Sequence, residues 1–303
     1  DPGAEIGEFV LHSLRVKPMG RLGVLFTCLR DRSSSTGKNI SESLIQFIQQ
    51  WMRHGRSRAL HGMFSSTRVM SLGGPSIQDN DYEIWIQFNQ PSAEELERQK
   101  SVSERFPLRP VISVVVPVYN TDPTMLSDMI DSVVGQTYPY WELCLADGAS
   151  TKPHVREIIN IYASNDSRIR YKFLEENMGI SGNTNAALEM ASGEFISLLD
   201  HDDMLASHAL FSIVEAINKE PNADMLYSDE DKFTEAAEKN PSDRFMPHFK
   251  SAFNPELLRS NNYICHLLTI KRDLLEQIGG FRSEFDGSQD HDLILRVSEK
   301  AET

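Results

Sequence analysis

The sequence predicts an α/β fold: a mostly parallel open sheet with helices on both faces, preceded by a mainly helical leader. Three observations carry that expectation. From Val111 onward, strand-like runs alternate with amphipathic helical segments, the pattern of a sheet built by crossover connections. The first run, "VISVVVPVY", is β-branched and apolar at consecutive positions, as a strand buried on both faces must be. The chain is 303 residues long, 40% hydrophobic and 24% charged, a globular composition that excludes a disordered tail or a collagen-like repeat.

Residues 1–109 read as the leader and a linker, and residues 110–303 as the α/β domain, expected to be incomplete at its C-terminus and to belong to a longer protein. In the leader, "SESLIQFIQQWMRHG" sets Leu44, Phe47, Ile48 and Trp51 on one helix face behind a Ser41 or Ser43 cap. A turn-rich stretch follows, then Tyr82, Trp85 and Phe88, and then "PSAEELERQKSVSER", an acidic helix expected to link into the domain. After the "VISVVVPVY" strand, Asp122 caps a helix with Pro123 in its first turn and with Met125, Met129, Ile130, Val133 and Val134 on one side. The strand "WELCLA", the helix "HVREIINIYA", the strand "RIRYKFL", the helix around "NTNAALEMA" and the strand "EFISLL" come next. A helix "LASHALFSIVEAINK" and a short strand "DMLYS" continue the alternation.

Charge divides the chain the same way. Its net charge is −14, but residues 1–110 hold 14 basic and 12 acidic side chains while residues 111–303 hold 16 and 32. A field of that sign repels phosphodiester backbones and excludes generic nucleic-acid binding. The stretch from Arg15 to Arg68 is the exception, with ten basic residues against Asp31 and Glu42, and it reads first as a solvated face, the alternative being a surface for an anionic partner such as the inner face of a membrane. Cys28, Cys144 and Cys265 are odd in number and form no CxxC pair, which fits a reducing compartment and supports neither a disulfide framework nor a zinc site. No run approaches the roughly 18 to 20 apolar residues needed to span a bilayer, and no signal-peptide core is seen. The expected location is the cytoplasm, with peripheral contact at its membrane face.

In open α/β sheets, ligands bind beyond the carboxyl ends of the strands. Those ends carry Tyr119-Asn120-Thr121-Asp122, Asp147-Gly148, Glu176-Asn177-Met178-Gly179 and Asp200-His201-Asp202-Asp203. Asp202 or Asp203 alone could be a helix cap. Three aspartates within four residues repel one another, which favours a divalent cation between them and an anion such as a diphosphate, and oxygen ligands suit Mg²⁺ or Mn²⁺. Neither G-x-G-x-x-G after the first strand nor a P-loop is present, which removes support for a dinucleotide oxidoreductase or a P-loop enzyme.

In their order and separations these segments resemble the family 2 inverting glycosyltransferases of GT-A type fold, from about Pro110 to the C-terminus. "ISVVVPVYN" is similar to the family's opening strand, which implies that Pro117, Tyr119 and Asn120 lie beside a nucleotide-sugar donor. "LADGAS" is similar to the nucleoside-binding D-D-G-S, with Asp147 as its second aspartate and Ala146 in place of the first. "ENMGISGNTNAAL" resembles the N-x-G-x-x-x-A-R-N segment through Asn177, Gly179 and Asn185, with Thr184 where arginine is common. "LLDHDD" resembles the D-x-D motif, which implies that Asp200 touches ribose or the metal shell and that Asp202 coordinates the cation.

Inverting transfer needs a carboxylate to take the acceptor hydroxyl's proton and a metal to neutralise the leaving diphosphate. The family carries Glu-Asp where "GSQDHDL" stands here, so Gln289 replaces the glutamate and Asp290 is the expected base, the alternative being that Asp290 and Asp292 only complement a helix N-terminus. The resemblance also implies acceptor contacts at Asn261, Asn262, His266, Gly280 and Gln289. From the residues alone His266 could equally be a satisfied structural histidine, Gly279-Gly280 a helix C-cap, and Lys250 a solvated lysine or a phosphate contact. The resulting expectation is transfer of a sugar from a UDP- or dTDP-sugar to a glycan or lipid-linked glycan in cell-surface polysaccharide synthesis. Two other readings are a non-catalytic sugar-nucleotide or glycan-binding module of a larger assembly protein, and nucleotidyl transfer, which lacks a basic, glycine-rich triphosphate loop.

Overall fold

The computed structural model describes Tyr82, Trp85, Ile86 and residues 88–233 and 244–302. The leader helix around Leu44 to Trp51, the basic stretch from Arg15 to Arg68 and Cys28 lie outside the described residues. The elements in chain order are α1 (Ala93–Ser103), β1 (Ile112–Val118), α2 (Pro123–Val134), β2 (Trp141–Asp147), α3 (Pro153–Asn165), β3 (Ile169–Phe173), α4 (Gly179–Leu188), β4 (Phe195–Leu198) and α5 (Ala209–Lys219). Then come β5 (Met225–Tyr227), β6 (Glu230–Phe233), β7 (Arg244–His248), α6 (Pro255–Ser260), β8 (Leu268–Lys271), α7 (Arg272–Ile278) and α8 (Gln289–Ser298).

Six strands form the central sheet in the order β3-β2-β1-β4-β8-β5. β1, β2, β3 and β4 are mutually parallel, with Val115 opposite both Cys144 and Leu198. β8 runs antiparallel to β4 and β5, pairing Leu198 with Leu268 and Tyr227 with Leu268. The start of β8 therefore lies beside the ends of β4 and β5. β6 and β7 form a separate two-stranded antiparallel ribbon.

All seven positions of β1 are buried because both faces are covered. Ile112, Val114, Val116 and Val118 pack with Leu126, Met129, Ile159, Leu210 and Val214 of α2, α3 and α5. On the other face Val115, Cys144 and Ile270 pack with Ala186 of α4, Leu258 of α6, Leu274 of α7 and Leu293 of α8. The Asp122 carboxylate caps α2 by accepting from the Thr124 N–H at 2.9 Å. Its buried face is Leu126, Met129, Ile130 and Val133, not the stripe read from the sequence: Met125 and Val134 are exposed, because the helix is rotated toward Leu126.

The acidic helix expected as a linker is α1, capped by Ser92 and set against the sheet's helices. Its buried Gln99 accepts a hydrogen bond from Thr137 at 2.9 Å, and Phe106 beyond it packs on Phe211 at 5.3 Å between ring centroids. Among the described residues no helix is long and apolar enough to cross a membrane.

Candidate active site

β4 gives way at Leu199 to the turn Asp200–Asp203, closed by the Asp203 N–H on the Asp200 carbonyl at 3.3 Å. α5 begins at Ala209 with His208 before it and no side-chain cap, so neither Asp202 nor Asp203 is spent on capping that helix. His266 arrives at this turn because β8 is antiparallel to β4. Its Nε2 lies 3.3 Å from Asp200 Oδ2. One oxygen each from Asp200 and Asp203 and one nitrogen of His266 lie within 4.8 Å of one another.

The hydrogen bond that His266 donates to Asp200 pushes His266 up to about 9; burial opposes this, and the charges of Asp200, Asp203 and Asp290 reinforce it. For Asp200, burial disfavours the charge, but the hydrogen bond and charge of His266 and the charge of His201 outweigh it and hold the carboxyl below its ordinary range. Burial raises Asp203; Asp200, Asp202 and Glu230 add to the rise against His266. Burial likewise raises Asp290, with Asp200 adding and His266 and a Gln289 hydrogen bond opposing. Three carboxylates thus share one imidazolium. His266 Nδ1 is buried and makes no hydrogen bond.

Asp290 stands in the first turn of α8 and lines one narrow crevice with Pro117, Thr184, Asp200, His266 and Gln289. The Gln289 amide bridges the loop to this carboxylate: Nε2 donates to Asp290 Oδ2 at 3.0 Å and Oε1 accepts from the Gly287 N–H at 2.8 Å. Asp292, two residues on, is instead buried between Arg282 and Arg296, with Nε–Oδ2 distances of 3.0 and 2.9 Å. The two aspartates that share a helix start therefore have different partners.

Among the residues expected to face a donor, Tyr119 is exposed at the end of β1. Asn120 Oδ1 accepts from the N–H groups of Thr151 and Lys152 at 2.9 and 3.2 Å, which ties the β1 end to the loop before α3. Asp147 is buried and accepts from the Ser150 N–H at 3.1 Å. Asn177 Oδ1 accepts from the Gly179 N–H and from Asn183 Nδ2 at 3.0 and 2.9 Å. Gly179 has φ +76°, and a Cβ there would stand 2.5 Å from Asp286 Oδ2, so the start of α4 requires glycine twice over. Asn185 turns away from the crevice and pairs with the Phe281 backbone. Gly280, φ +71°, lies against it, where a Cβ would meet Asn185 Oδ1 at 2.8 Å. Gly279 is the left-handed C-cap of α7, as the capping alternative expected.

Among the residues expected to contact an acceptor, Asn261 caps the end of α6 and is exposed, and Asn262 Oδ1 accepts from the Cys265 N–H at 3.3 Å. Lys250 is neither solvated nor set for a phosphate. Its side chain is 1% exposed and its ammonium is held by the carbonyls of Ile264 and His266 and by Glu230 Oε2 at 3.5 Å. Asp202 is exposed on the turn, its Oδ1 3.9 Å from His201 Nδ1. The structure thus gathers Pro117, Asp200, His266, Gln289 and Asp290, leaves Tyr119, Asp202 and Asn261 at the surface, and gives Asn120, Asn177, Asn185 and Gly280 to holding loops together. Sequence reasoning counted Asp203 among the three aspartates but gave the cation to Asp202, and it missed Lys250 and Asn183 as buried braces.

An open α/β sheet of this order, with acidic strand ends gathered at one edge, is the architecture of a GT-A type glycosyltransferase domain. The S. aureus TarS 1-349 structure in complex with UDP-GlcNAc has the same fold, with a TM-score of 0.50 and 22% identity over 61% of this chain and 52% of that one. Residues 113–279, more than half of the chain, match glycosyl transferase family 2, and the chain belongs to that family. It is similar to the uncharacterized protein y4gI of Sinorhizobium fredii, 46% identical over 64% of this chain and 21% of that protein. It is also similar to the O-antigen biosynthesis protein RfbC of Myxococcus xanthus, 36% identical over 77% of this chain and 18% of that protein. The chain thus spans about a fifth of the length of these two relatives.

Proposed function

We propose that the chain is the catalytic portion of a longer inverting glycosyltransferase, moving a sugar from a UDP- or dTDP-sugar to a glycan or lipid-linked glycan acceptor in cell-surface polysaccharide synthesis. The observation that carries it is the gathering of Asp200, Asp203 and Asp290 around His266 at the strand ends. The name of the Myxococcus relative, an O-antigen biosynthesis protein, supports the polysaccharide setting. The expected site is at the cytoplasmic membrane face, and the expected domain boundary lies near residue 110.

Asp290 takes the proton of the acceptor hydroxyl. Its burial raises its proton affinity above that of an ordinary carboxylate, which suits a base. The hydrogen bond from Gln289 fixes which oxygen remains available. Two carboxylates and an imidazole suit Mg²⁺ or Mn²⁺, and Asp200, Asp203 and His266 would hold the ion, with the charge of Asp202 on the same turn. When bound, such an ion neutralises charge on the departing diphosphate. Asp147, Asn177 and the ends of β1 and β2 form the donor side, where Asp147 is placed for the nucleoside.

Donor hydrolysis and transfer, measured with a panel of nucleotide sugars and Mn²⁺, test the reading. Asp290→Asn is expected to cut transfer by about 10²–10⁴-fold while nucleotide binding persists, and chelation to abolish nucleotide-sugar binding. An active Asp290→Asn protein overturns the base, and metal-independent donor binding overturns the cation site.

A further inference from the structure

On the β8–β5 side of β4 lies a second hollow, a cavity of about 420 Å³, within the size range of small-molecule sites. Asp203 and His266 line it together with the aromatic residues Tyr82, Trp85 and Phe249. The rings form one continuous wall. Tyr82 stacks on Trp85 at 5.8 Å and 20°, and Trp85 meets the edge of Phe249 at 4.9 Å and 60°. An ion-pair network fixes the wall: the Tyr82 hydroxyl donates to Asp231, which also receives Arg244 Nε at 2.6 Å. Trp85 and Phe249 nonetheless remain 42% and 45% exposed, so ring surface is left uncovered beside carboxylates.

Taking the glycosyltransferase reading as its basis, we propose that the segment bearing Tyr82, Trp85 and Ile86 completes an acceptor-sugar site in this cavity, with Trp85 and Phe249 as the surface on which a pyranose ring stacks. A pyranose has an apolar C–H face and a rim of hydroxyls. The cavity offers the matching pair in one lining, aromatic rings and the polar side chains of Asp229, Glu230 and Arg244. A second nucleotide does not fit this lining, because Asp203, Asp229, Glu230 and Asp231 would face a diphosphate and Arg244, the one arginine lining the cavity among the described residues, is already paired with Asp231. The position also fits an acceptor. The donor residues Asp147 and Asn177 follow β2 and β3, on the opposite side of β4, and His266 lines both the crevice holding Asp290 and this cavity. A sugar stacked on Trp85 would present its hydroxyls toward the turn where transfer takes place.

The test is saturation-transfer NMR on the 303-residue chain, with millimolar methyl pyranosides of glucose, galactose, mannose, rhamnose and N-acetylglucosamine, run beside UDP with Mn²⁺. At least one pyranoside is expected to receive saturation, strongest on the C–H protons of one ring face. Trp85→Ala and Phe249→Ala are each expected to weaken its binding about tenfold, Trp85→Phe to retain most of it, and Phe88→Ala, exposed and outside the cavity, to leave it unchanged. UDP binding reports folding in every variant; where Trp85→Ala does not fold, Phe249→Ala carries the comparison. The proposal is overturned if no pyranoside binds, if pyranoside binding survives both alanine substitutions in proteins that bind UDP, or if UDP is the ligand weakened. A parent chain that binds no nucleotide sugar overturns the glycosyltransferase reading instead, so the two failures are distinct.

Discussion

Asn185 holds both backbone groups of Phe281: its Nδ2 donates to the Phe281 carbonyl at 2.8 Å and its Oδ1 accepts from the Phe281 N–H at 2.9 Å. The side chain thus fastens α4 to the loop that leads to Asp290. Asn185→Ala leaves two backbone groups without partners and is expected to cost about 1–3 kcal/mol of stability, measured by urea unfolding. Gly280→Ala strains the same contact from the other side, so the double variant should lose less than the sum of the single losses.

The Asp200–His266 pair predicts a pH dependence. His266 is raised from 6.5 to about 9, so the stability it adds is complete below pH 6.5 and is lost as pH rises through about 9. Asp200 is lowered from 3.8, so its contribution is present above pH 3.8 and is lost as pH falls below it. Melting temperature in chelator should therefore peak between these limits, and His266→Gln should remove the alkaline decline.

Cation affinity should run the other way above pH 6.5. The proton on His266 competes with a metal, so Mn²⁺ binding by calorimetry should strengthen up to about pH 9 and release a proton as it does so. Affinity that is flat across this range would place the ion elsewhere.

Lys250 predicts a structural defect. Replacement by Met leaves the carbonyls of Ile264 and His266 without a donor and Glu230 short of a buried cation. A loss of about 3–5 kcal/mol is expected, with activity falling because the segment carrying His266 loosens. Glu230 keeps His248 at 3.0 Å, so Lys250→Met combined with Glu230→Gln should be less unstable than Lys250→Met alone.

Gln289→Glu exchanges the Nε2 donor on Asp290 for a second carboxylate. Two like charges at that distance raise the proton affinity of Asp290, and the acid limb of the transfer rate should move to higher pH, by about one unit. An unmoved limb would dissociate Gln289 from the base.

The sheet was legible because β-branched runs such as Ile112–Val118 are apolar throughout, which only a strand covered on both faces allows. The site's ingredients were legible because strand ends in such sheets face the ligand. Their division of labour was not. Asp202 and Asp203 are neighbours of equal chemistry, and the turn closed by the Asp203 N–H decides which one meets His266. Asn185 resembles a donor contact by spacing, yet its partner Phe281 lies 96 residues away. Nor does sequence periodicity show that Lys250 is enclosed, since enclosure depends on a segment folded back from beyond α6.

In a wholly parallel sheet, only the segments leaving the strands look onto the ligand. Reversal of β8 between β4 and β5 breaks that rule, so this cleft is furnished from upstream of a strand as well as downstream. A search for the chemistry of such domains that scans only strand exits will therefore pass over half of one wall, and here that half contains the imidazole around which the carboxylates are arranged.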